Sequence, residues 1–187
     1  MIVLETARLR LRRFTPEDLE LLVQLDSDPE VMRYITGGPA TSRELYERVI
    51  LPRWLELYRR HPARGYWAAE PRDGGEFLGW FHLREDRIEP GYLELGYRLS
   101  RSAWGQGLAT EGSLGVLRHG FGPAGATRIS ARALVGNLAS QRVMRKCGLR
   151  FAGRFDYPDD APGGLPGLGR AAVKFEITLP EWLARQD

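Results

Sequence analysis

A glycine-rich turn that joins an alternating strand to a helix constrains the fold of this 187-residue chain more than any other feature. Residues 92–99 alternate apolar with other side chains, a period of two that predicts a strand with one buried face. The turn that follows has the residues Trp104, Gly105, Gln106, Gly107, Leu108 and Ala109. Apolar residues at helical spacing then predict a helix to about Phe121. A strand, a tight turn and a helix in this order favour an α/β or α+β domain.

The two glycines of this turn, Gly105 and Gly107, allow backbone angles that direct several N–H groups toward one point. The helix that follows adds N–H groups without partners and the positive end of its dipole. Such a turn binds a phosphate or pyrophosphate without a lysine, although a purely structural turn would need the same glycines. The dinucleotide fingerprint requires a glycine where Thr110 stands, and the Walker pattern requires Gly-Lys-Ser/Thr. The pattern therefore argues against dehydrogenases and P-loop NTPases.

The rest of the chain divides into further strands and helices without a linker or a repeat, which predicts one domain over residues 1–187. Strands are predicted at 8–14, 66–70, 76–84, 128–134, 150–155 and 171–179. Helices are predicted after the N-cap Thr15, from Ser42 to about Arg60 with a bend or break at Pro52, and over 137–147. The segment 157–169 is rich in proline and glycine, and is predicted to be irregular.

Composition excludes several classes of protein. No apolar stretch has the length of a membrane span, and the first residues lack the pattern of a signal peptide, so we expect a cytoplasmic protein. One cysteine, Cys147, and three separated histidines predict neither a disulfide nor a metal site. The net charge is +3, with scattered arginines balanced by 24 acids, which gives weak support for nucleic-acid binding. The expected state is a monomer or a homodimer.

A second segment combines a helix cap with polar residues. Asn137 precedes the predicted helix and is a suitable N-cap, and Ser140 lies in its first turn. Gly148 follows the last turn, where a glycine ends a helix well. These residues alone are also explained by an ordinary capped, amphipathic helix with a surface serine.

Taken together, these segments resemble the GNAT superfamily of acetyl-CoA-dependent N-acetyltransferases, and within it the branch of the ribosomal-protein N-terminal acetyltransferases. The likeness is carried by the residues of 5–12, 15–18, 28–34, 94–97, 104–111 and 137–151. It implies a single domain with a mixed central sheet of about six to seven strands and about four flanking helices. Two splayed strands of that sheet would form the acetyl-CoA cleft.

The resemblance also implies roles for individual residues. The pyrophosphate of acetyl-CoA would lie on the backbone from Trp104 to Ala109, and the pantetheine arm against the end of the strand at Leu99, near Asn137. Many relatives have a tyrosine at the position of Met144, where it protonates the departing thiolate. Methionine cannot donate a proton, so the resemblance moves that role to Ser140.

Glu94 is the candidate general base, because it is an acid in an otherwise apolar strand next to the turn, where burial would raise its pKa. An exposed glutamate paired with Arg98 or another arginine is the structural alternative. His82 is the rival base, one strand earlier. Cys147 lies near basic residues that could lower its pKa, but packing in the core is the favoured role for it. The tryptophans Trp54, Trp67 and Trp80 are predicted to be core or cleft wall.

The predicted function is acetyl transfer from acetyl-CoA to a primary amine, without a metal. The implied acceptor is a protein N-terminus, such as that of a ribosomal protein. A polyamine, amino acid or antibiotic is the alternative within the enzyme class. Outside it, the methionine at position 144 is also compatible with a non-catalytic CoA-binding sensor. The turn indicates the acetyl donor and leaves the acceptor undefined.

Overall fold

The computed structural model describes residues 1–157 and 171–185. Within them, eight strands form one sheet in the order β1-β2-β3-β4-β5-β6-β8-β7, with every neighbouring pair antiparallel except β5 and β6. The strands are β1 (Ile2–Glu5), β2 (Leu9–Arg13), β3 (Gly65–Pro71), β4 (Gly79–Glu85), β5 (Leu93–Leu99), β6 (Arg128–Leu134), β7 (Arg150–Asp156) and β8 (Ala171–Thr178). The mixed sheet confirms the predicted fold class.

Helices cover both faces of this sheet. They are α1 (Leu19–Asp26), α2 (Pro29–Met32), α3 (Arg43–Leu45), α4 (Leu51–Arg60), α5 (Leu108–Phe121), α6 (Leu138–Lys146) and α7 (Leu179–Leu183). A 3₁₀ turn at Pro16–Asp18 leads into α1, and Thr15 and Asp18 form the capping box at its start. None of the helices in the described ranges is both long and apolar enough to cross a membrane.

The elements not predicted from the sequence include β1 and α7, and β1 brings the strand count to eight instead of six or seven. β1 has four residues and forms an antiparallel hairpin with β2. α7 has five residues, too few for a helical period, and Thr178 and Glu181 cap it. Of the segment predicted to be irregular, Tyr157 is described and the remainder lies outside the described residues.

The predicted break at Pro52 is absent, but the helix changes its hydrogen-bonding pattern directly before this residue. A π-helical segment, Tyr46–Ile50, connects α3 to α4, and Pro52 is the second residue of α4. Because Ile50 and Leu51 keep helical backbone angles, Pro52 lies inside a continuous helical run, and the π-helical turn is the local irregularity there. The helical run begins where it was predicted to begin, with Ser42 as its N-cap, and the Ser42 hydroxyl accepts from the backbone N–H of Leu45.

The helix α5 packs closely on the sheet because its inner face has glycines. A side chain at Gly112 would overlap the ring of Phe81, and one at Gly120 would overlap Ile129. Leu117 is fully buried between these positions. This close packing holds the N-terminus of α5, and with it the glycine-rich turn, against the end of β5.

The strands β5 and β6 are paired only at their beginning. Leu93 lies opposite Ile129 and Glu94 opposite Ser130, and the two strands separate beyond these positions. The sheet is therefore open between the second halves of β5 and β6. This opening is the splayed cleft that the resemblance implied, and the functional residues lie around it.

Candidate active site

The glycine-rich turn has the conformation that its sequence predicts. Gly105 and Gly107 have φ angles of 73° and 79°, in the left-handed region that glycine adopts without strain. Gly107 is the N-cap of α5, a helix of 14 residues. The indole N–H of Trp104 donates to the carbonyl of Leu99 over 2.9 Å, which attaches the turn to the end of β5. The first N–H groups of α5 consequently point toward the cleft.

A cavity of about 390 Å³, called the donor cavity here, lies in front of this turn. Five of the six turn residues line it together with Leu99. Gln106 does not line it, because its side chain donates to the carbonyl of Ser102 over 2.6 Å. Glycines without side chains and a helix N-terminus at the wall of this cavity fit the pyrophosphate of coenzyme A.

Basic residues that the sequence analysis did not single out also line the donor cavity. They are Arg33, which follows α2, and Arg142 and Lys146 on α6. Residues 139, 142, 143 and 146 have helical spacing and occupy the same face of α6. That spacing, which follows the predicted N-cap, is the sequence signal that would have identified Arg142 and Lys146.

A second cavity of about 540 Å³ adjoins the first and includes the opening between β5 and β6; it is called the acceptor cavity here, for the side of it that faces β4. It extends from β4 through the gap between β5 and β6 to α6. Trp80, His82, Glu94 and Arg132 are among its lining residues, whereas Trp54 and Trp67 are buried in the core. The volume is within the usual range of small-molecule sites, about 300–1,000 Å³.

The two cavities meet at Tyr97 and Ser140, which line both. Their hydroxyl oxygens are 3.0 Å apart. Burial raises the pKa of Tyr97 to about 12, and the bond with Ser140 opposes that shift. The alternation of residues 92–99 predicts that Tyr97 lies on the apolar face of its strand with Leu93, Leu95 and Leu99, and its ring does pack against the core. Its hydroxyl, at the end of that ring, was missed as a functional group.

Asn137 also lines both cavities. Its side-chain oxygen accepts the backbone N–H of Ser140 over 3.1 Å, so this oxygen caps α6. The capping role that the sequence left as an alternative is therefore present. The cap also fixes the position of Ser140 in the first turn of α6, where the helix dipole favours a nearby negative charge.

The carboxylate of Glu94 is nearly buried, with 12% of its side chain exposed. It forms an ion pair with Arg84 and approaches Arg132 at 3.7 Å. Burial raises the pKa of Glu94, and these two arginines oppose the rise. The structural alternative is confirmed in part: Glu94 is paired with other arginines, but it is not exposed, and Arg98 pairs with Asp26 instead.

His82 lies on β4 opposite Gly96, and its ring occupies the space that a side chain at Gly96 would need. Neither ring nitrogen has a hydrogen-bond partner among residues 1–157 and 171–185. Burial, reinforced by Arg84, holds the pKa of His82 well below its usual range. The imidazole is therefore neutral at physiological pH, which makes it a weak base.

The thiol of Cys147 is fully buried, and burial raises its pKa to about 12. This is opposite to the shift that a reactive thiolate needs, so its role in packing is favoured. Met144 is also buried and offers no proton at the cavity wall. No group of three or more His, Cys, Asp or Glu in the described parts of the chain has the arrangement of a metal site.

Comparisons with known proteins agree with this geometry. The family described as the acetyltransferase (GNAT) domain matches residues 8–150. A relative from Aspergillus fumigatus, the FsC-acetyl coenzyme A-N(2)-transacetylase, is 33% identical over 98% of this chain and 79% of its own. The uncharacterized N-acetyltransferase YoaA of Bacillus subtilis is 32% identical over 86% of this chain and 91% of its own.

Solved structures show the same fold. RimL, a ribosomal L7/L12 alpha-N-protein acetyltransferase solved in complex with coenzyme A, superposes with a TM-score of 0.77. It shares 18% sequence identity and covers 97% of this chain and 99% of its own. The chain therefore belongs to the GNAT family and is an acetyl-CoA-dependent N-acetyltransferase.

Proposed function

We propose that this N-acetyltransferase acetylates the primary amine of a small molecule. The observation that carries the proposal is the junction at Tyr97 and Ser140 between the donor cavity and the acceptor cavity. The acceptor cavity, of about 540 Å³, has the volume of a small-molecule site. The Aspergillus relative, named for acetylation at an N(2) nitrogen, supports it at 33% identity. RimL, at 18% identity, supports the fold alone.

The donor side of the site would bind acetyl-CoA through the turn and through basic side chains. The backbone from Trp104 to Ala109 offers N–H groups to the pyrophosphate, while Arg142 and Lys146 add positive charge. Bound in this way, acetyl-CoA supplies an acetyl thioester to the reaction. Leu99 and Asn137 line the path from the turn to the junction of the cavities.

Glu94 is proposed to act as the general base, through a water molecule. The amine must be neutral to attack the thioester carbon, and a carboxylate on the cavity wall accepts its proton as the C–N bond forms. Burial favours this role because it raises the pKa of the Glu94 carboxyl. Arg84 and Arg132 hold the carboxylate in place and favour its ionised form, against the effect of burial on its pKa.

Ser140 and Tyr97 are proposed to supply the proton that the leaving sulfur requires. As the C–S bond breaks, the Ser140 hydroxyl donates to the sulfur, and Tyr97, 3.0 Å away, replaces the proton of Ser140. Tyr97 has a pKa of about 12 and is the acid of the pair. This pair would fulfil the role that Met144 cannot perform.

A thiol-release assay with acetyl-CoA tests the proposal across small monoamines, polyamines, aminoglycosides and peptides with free N-termini. We expect turnover with small amines. Turnover with peptides alone would replace the proposal with a protein N-terminal acetyltransferase. Acetyl-CoA binding without any turnover would support a non-catalytic sensor.

Variants of the hydroxyl pair test the mechanism. We expect S140A and Y97F to lower kcat about 10- to 100-fold, since a positioned acid contributes roughly 10²–10⁴-fold. The dissociation constant of acetyl-CoA should change little. The control is Y92F, which removes a hydroxyl from the residue preceding β5, outside both cavities. Full activity in both S140A and Y97F would refute the proton-donor pair.

A further inference from the structure

A buried carboxylate, that of Asp86, lies beside the candidate active site and lines neither cavity. Asp86 is the first residue after β4, and none of its side chain is exposed. One carboxylate oxygen accepts the hydroxyl of Ser130 over 2.6 Å. The other accepts the backbone N–H groups of Ile88 and Glu89 over 2.8 and 3.0 Å. These three hydrogen bonds fix the orientation of the carboxylate and favour its ionised form.

The guanidinium of Arg132 connects Asp86 to Glu94. Its Nη1 atom lies 2.7 Å from a carboxylate oxygen of Asp86 and 3.7 Å from one of Glu94. Arg132 lines the acceptor cavity, but only 3% of its side chain is exposed. Burial tends to raise the pKa of Asp86, but the bonds from Arg132 and Ser130 outweigh this effect, so Asp86 is ionised at physiological pH. The arginine thus contacts two carboxylates and is closer to that of Asp86.

These contacts lie where the sheet divides. Glu94 on β5 is opposite Ser130 on β6, at the end of the paired part of the two strands. Arg132 is two residues beyond Ser130, so both side chains project from the same face of β6. Asp86 contacts both of them from the turn that precedes β5. It therefore fixes the position of Arg132 relative to Glu94 without entering the cavity.

Asp86 also offsets positive charge close to Glu94. The groups that act on the Glu94 carboxylate come from β4, the turn after it, β6 and the residue after β7, and they are Arg84, Asp86, Arg87, Arg132 and Tyr157. Tyr157 is neutral at physiological pH because burial raises its pKa to about 12, and His82, on the same face of β4, is neutral because burial lowers its pKa. If Asp86 were uncharged, Arg132 would stabilise the ionised form of Glu94 more strongly, which would make Glu94 a weaker proton acceptor.

Stability is a weak explanation for this buried ion pair, because removing two charges from water is costly and apolar side chains of similar size often stabilise a core as well. We propose that Asp86 is a positioning residue for acetyl transfer: it holds Arg132 beside Glu94 and offsets its charge, so that Glu94 is oriented and still takes up the proton of the amine. This inference rests on the proposed function, because it concerns the base of that reaction. Asp86 lines neither cavity, so it acts through Arg132 and not on the ligands.

The titration of Glu94 tests this inference without any acceptor. In protein labelled with ¹³C at the glutamate carboxyl carbons, the NMR signal of Glu94 is the one that E94Q lacks. We expect D86N to lower the titration midpoint of Glu94 by about one pH unit, because the charge of Arg132, 3.7 Å away, is then no longer offset. An unchanged or higher midpoint in D86N would overturn the inference.

The matched control is E176Q, which also removes one carboxylate near the end of the paired part of β6. Glu176 lies opposite Ser130, but its partners are Lys174, at 2.8 Å, and Arg128, at 3.7 Å. Because it does not pair with Arg132, its removal should leave the midpoint of Glu94 nearly unchanged. An equal shift in E176Q and D86N would show that the effect is not specific to Asp86.

Removal of Arg132 gives a second readout, which also serves if D86N alone fails to fold. R132Q leaves Asp86 its three other hydrogen bonds, and the midpoint of Glu94 should rise by about one pH unit because an opposing charge is lost. The double variant D86N/R132Q removes both charges of the pair and should return the midpoint close to that of the wild type. A purely structural role would not shift the midpoint in opposite directions in the two single variants. Equal midpoints in R132Q and the double variant would contradict the role of Asp86.

The pH dependence of kcat/KM separates this inference from the proposed function. With the small amine of highest turnover in the thiol-release assay, the loss of activity at acid pH should move to lower pH by the same unit in D86N. At pH 7, kcat should fall about threefold, since a weaker base accelerates proton transfer less. A lower midpoint without a change in the pH dependence would refute Glu94 as the base, and with it the part of Asp86 in the reaction. An unchanged midpoint in D86N, together with an inactive E94Q, would refute the role of Asp86 and leave the proposed function standing.

Discussion

Replacement of Glu94 by glutamine distinguishes the proposed role of this residue as a base from its contribution to the stability of the protein. The variant keeps the size of the side chain and removes its charge. Arg132 retains Asp86 at 2.7 Å, whereas Arg84 loses its carboxylate partner. Loss of one ion pair at a side chain that is 12% exposed should lower the free energy of unfolding by about 1–3 kcal/mol. The protein should therefore still fold and bind acetyl-CoA.

The kinetic effect of E94Q should be much larger than its effect on stability. A positioned general base contributes about 10²–10⁴-fold, so kcat/KM near pH 7 should fall about 100- to 1,000-fold. The defect should shrink as the pH rises, because the amine then loses its proton to solvent and needs the base less.

The wild-type enzyme should also lose activity as the pH falls through the pKa of Glu94, since a protonated carboxyl cannot accept a proton. Burial raises that pKa, against the opposing effect of Arg84 and Arg132, so the loss should begin above the ordinary range of glutamate. E94Q should lack this acid limb.

Thiol release from acetyl-CoA as a function of pH, together with thermal melting and acetyl-CoA titration, measures these effects. E89Q is the matched control, because Glu89 also contacts Arg132, at 3.4 Å, but does not line the acceptor cavity. It should retain kcat/KM within about threefold, since its ion pairs are partly exposed. Unaltered turnover in E94Q with normal acetyl-CoA binding would refute the assignment and move the base to His82.

Three further predictions concern the turn, the thiol and an ion pair. G105A and G125A both place alanine at a positive φ, 73° and 64°, with open space around the new side chain. Each variant should lose about 1–2 kcal/mol of stability, but only G105A should weaken acetyl-CoA binding in titrations. Equal affinity of the two variants for acetyl-CoA would contradict the proposed binding of the pyrophosphate by the turn. Cys147 should react with a thiol reagent only as the protein unfolds, because it is buried with a pKa of about 12, and rapid labelling of the native protein would contradict this. Burial tends to raise the pKa of Asp18, but the hydrogen bonds from Arg12 outweigh this effect, so the pKa is lowered overall. D18N should therefore destabilise the protein at pH 7. That difference in melting temperature should disappear as the pH falls through the lowered pKa, and a constant difference would rule the pair out as its cause.

Local sequence signals were sufficient for the elements of the donor side. The glycines of the turn, the alternation of β5, and Asn137 as the cap of α6 all act within a few residues of themselves, and each has the predicted conformation. The family resemblance then related these segments to acetyl-CoA. The candidate residues Leu99, Trp104, Asn137 and Ser140 all line the donor cavity.

The acceptor side depends on contacts between residues far apart in the chain. Tyr97 and Ser140 are 43 positions apart, and Arg98 meets Asp26 across 72 positions. No local pattern reports such pairs, so the hydroxyl of Tyr97 was interpreted as part of an apolar face. For Glu94, pairing with an arginine was predicted as an alternative, but the arginines that pair with it, Arg84 and Arg132, could not be named.

The turn could be identified from the sequence because the backbone angles of glycine and the N–H groups of a helix end are properties of a short segment. The environment of Glu94 could not, because its ionisation depends on burial by three strands and on the arginines that those strands bring to it. The burial and the electric field at Glu94 have contributions from many residues that are far apart in the chain. They are set only in the folded sheet, where the first residues of β5 and β6 pair and their second halves lie apart.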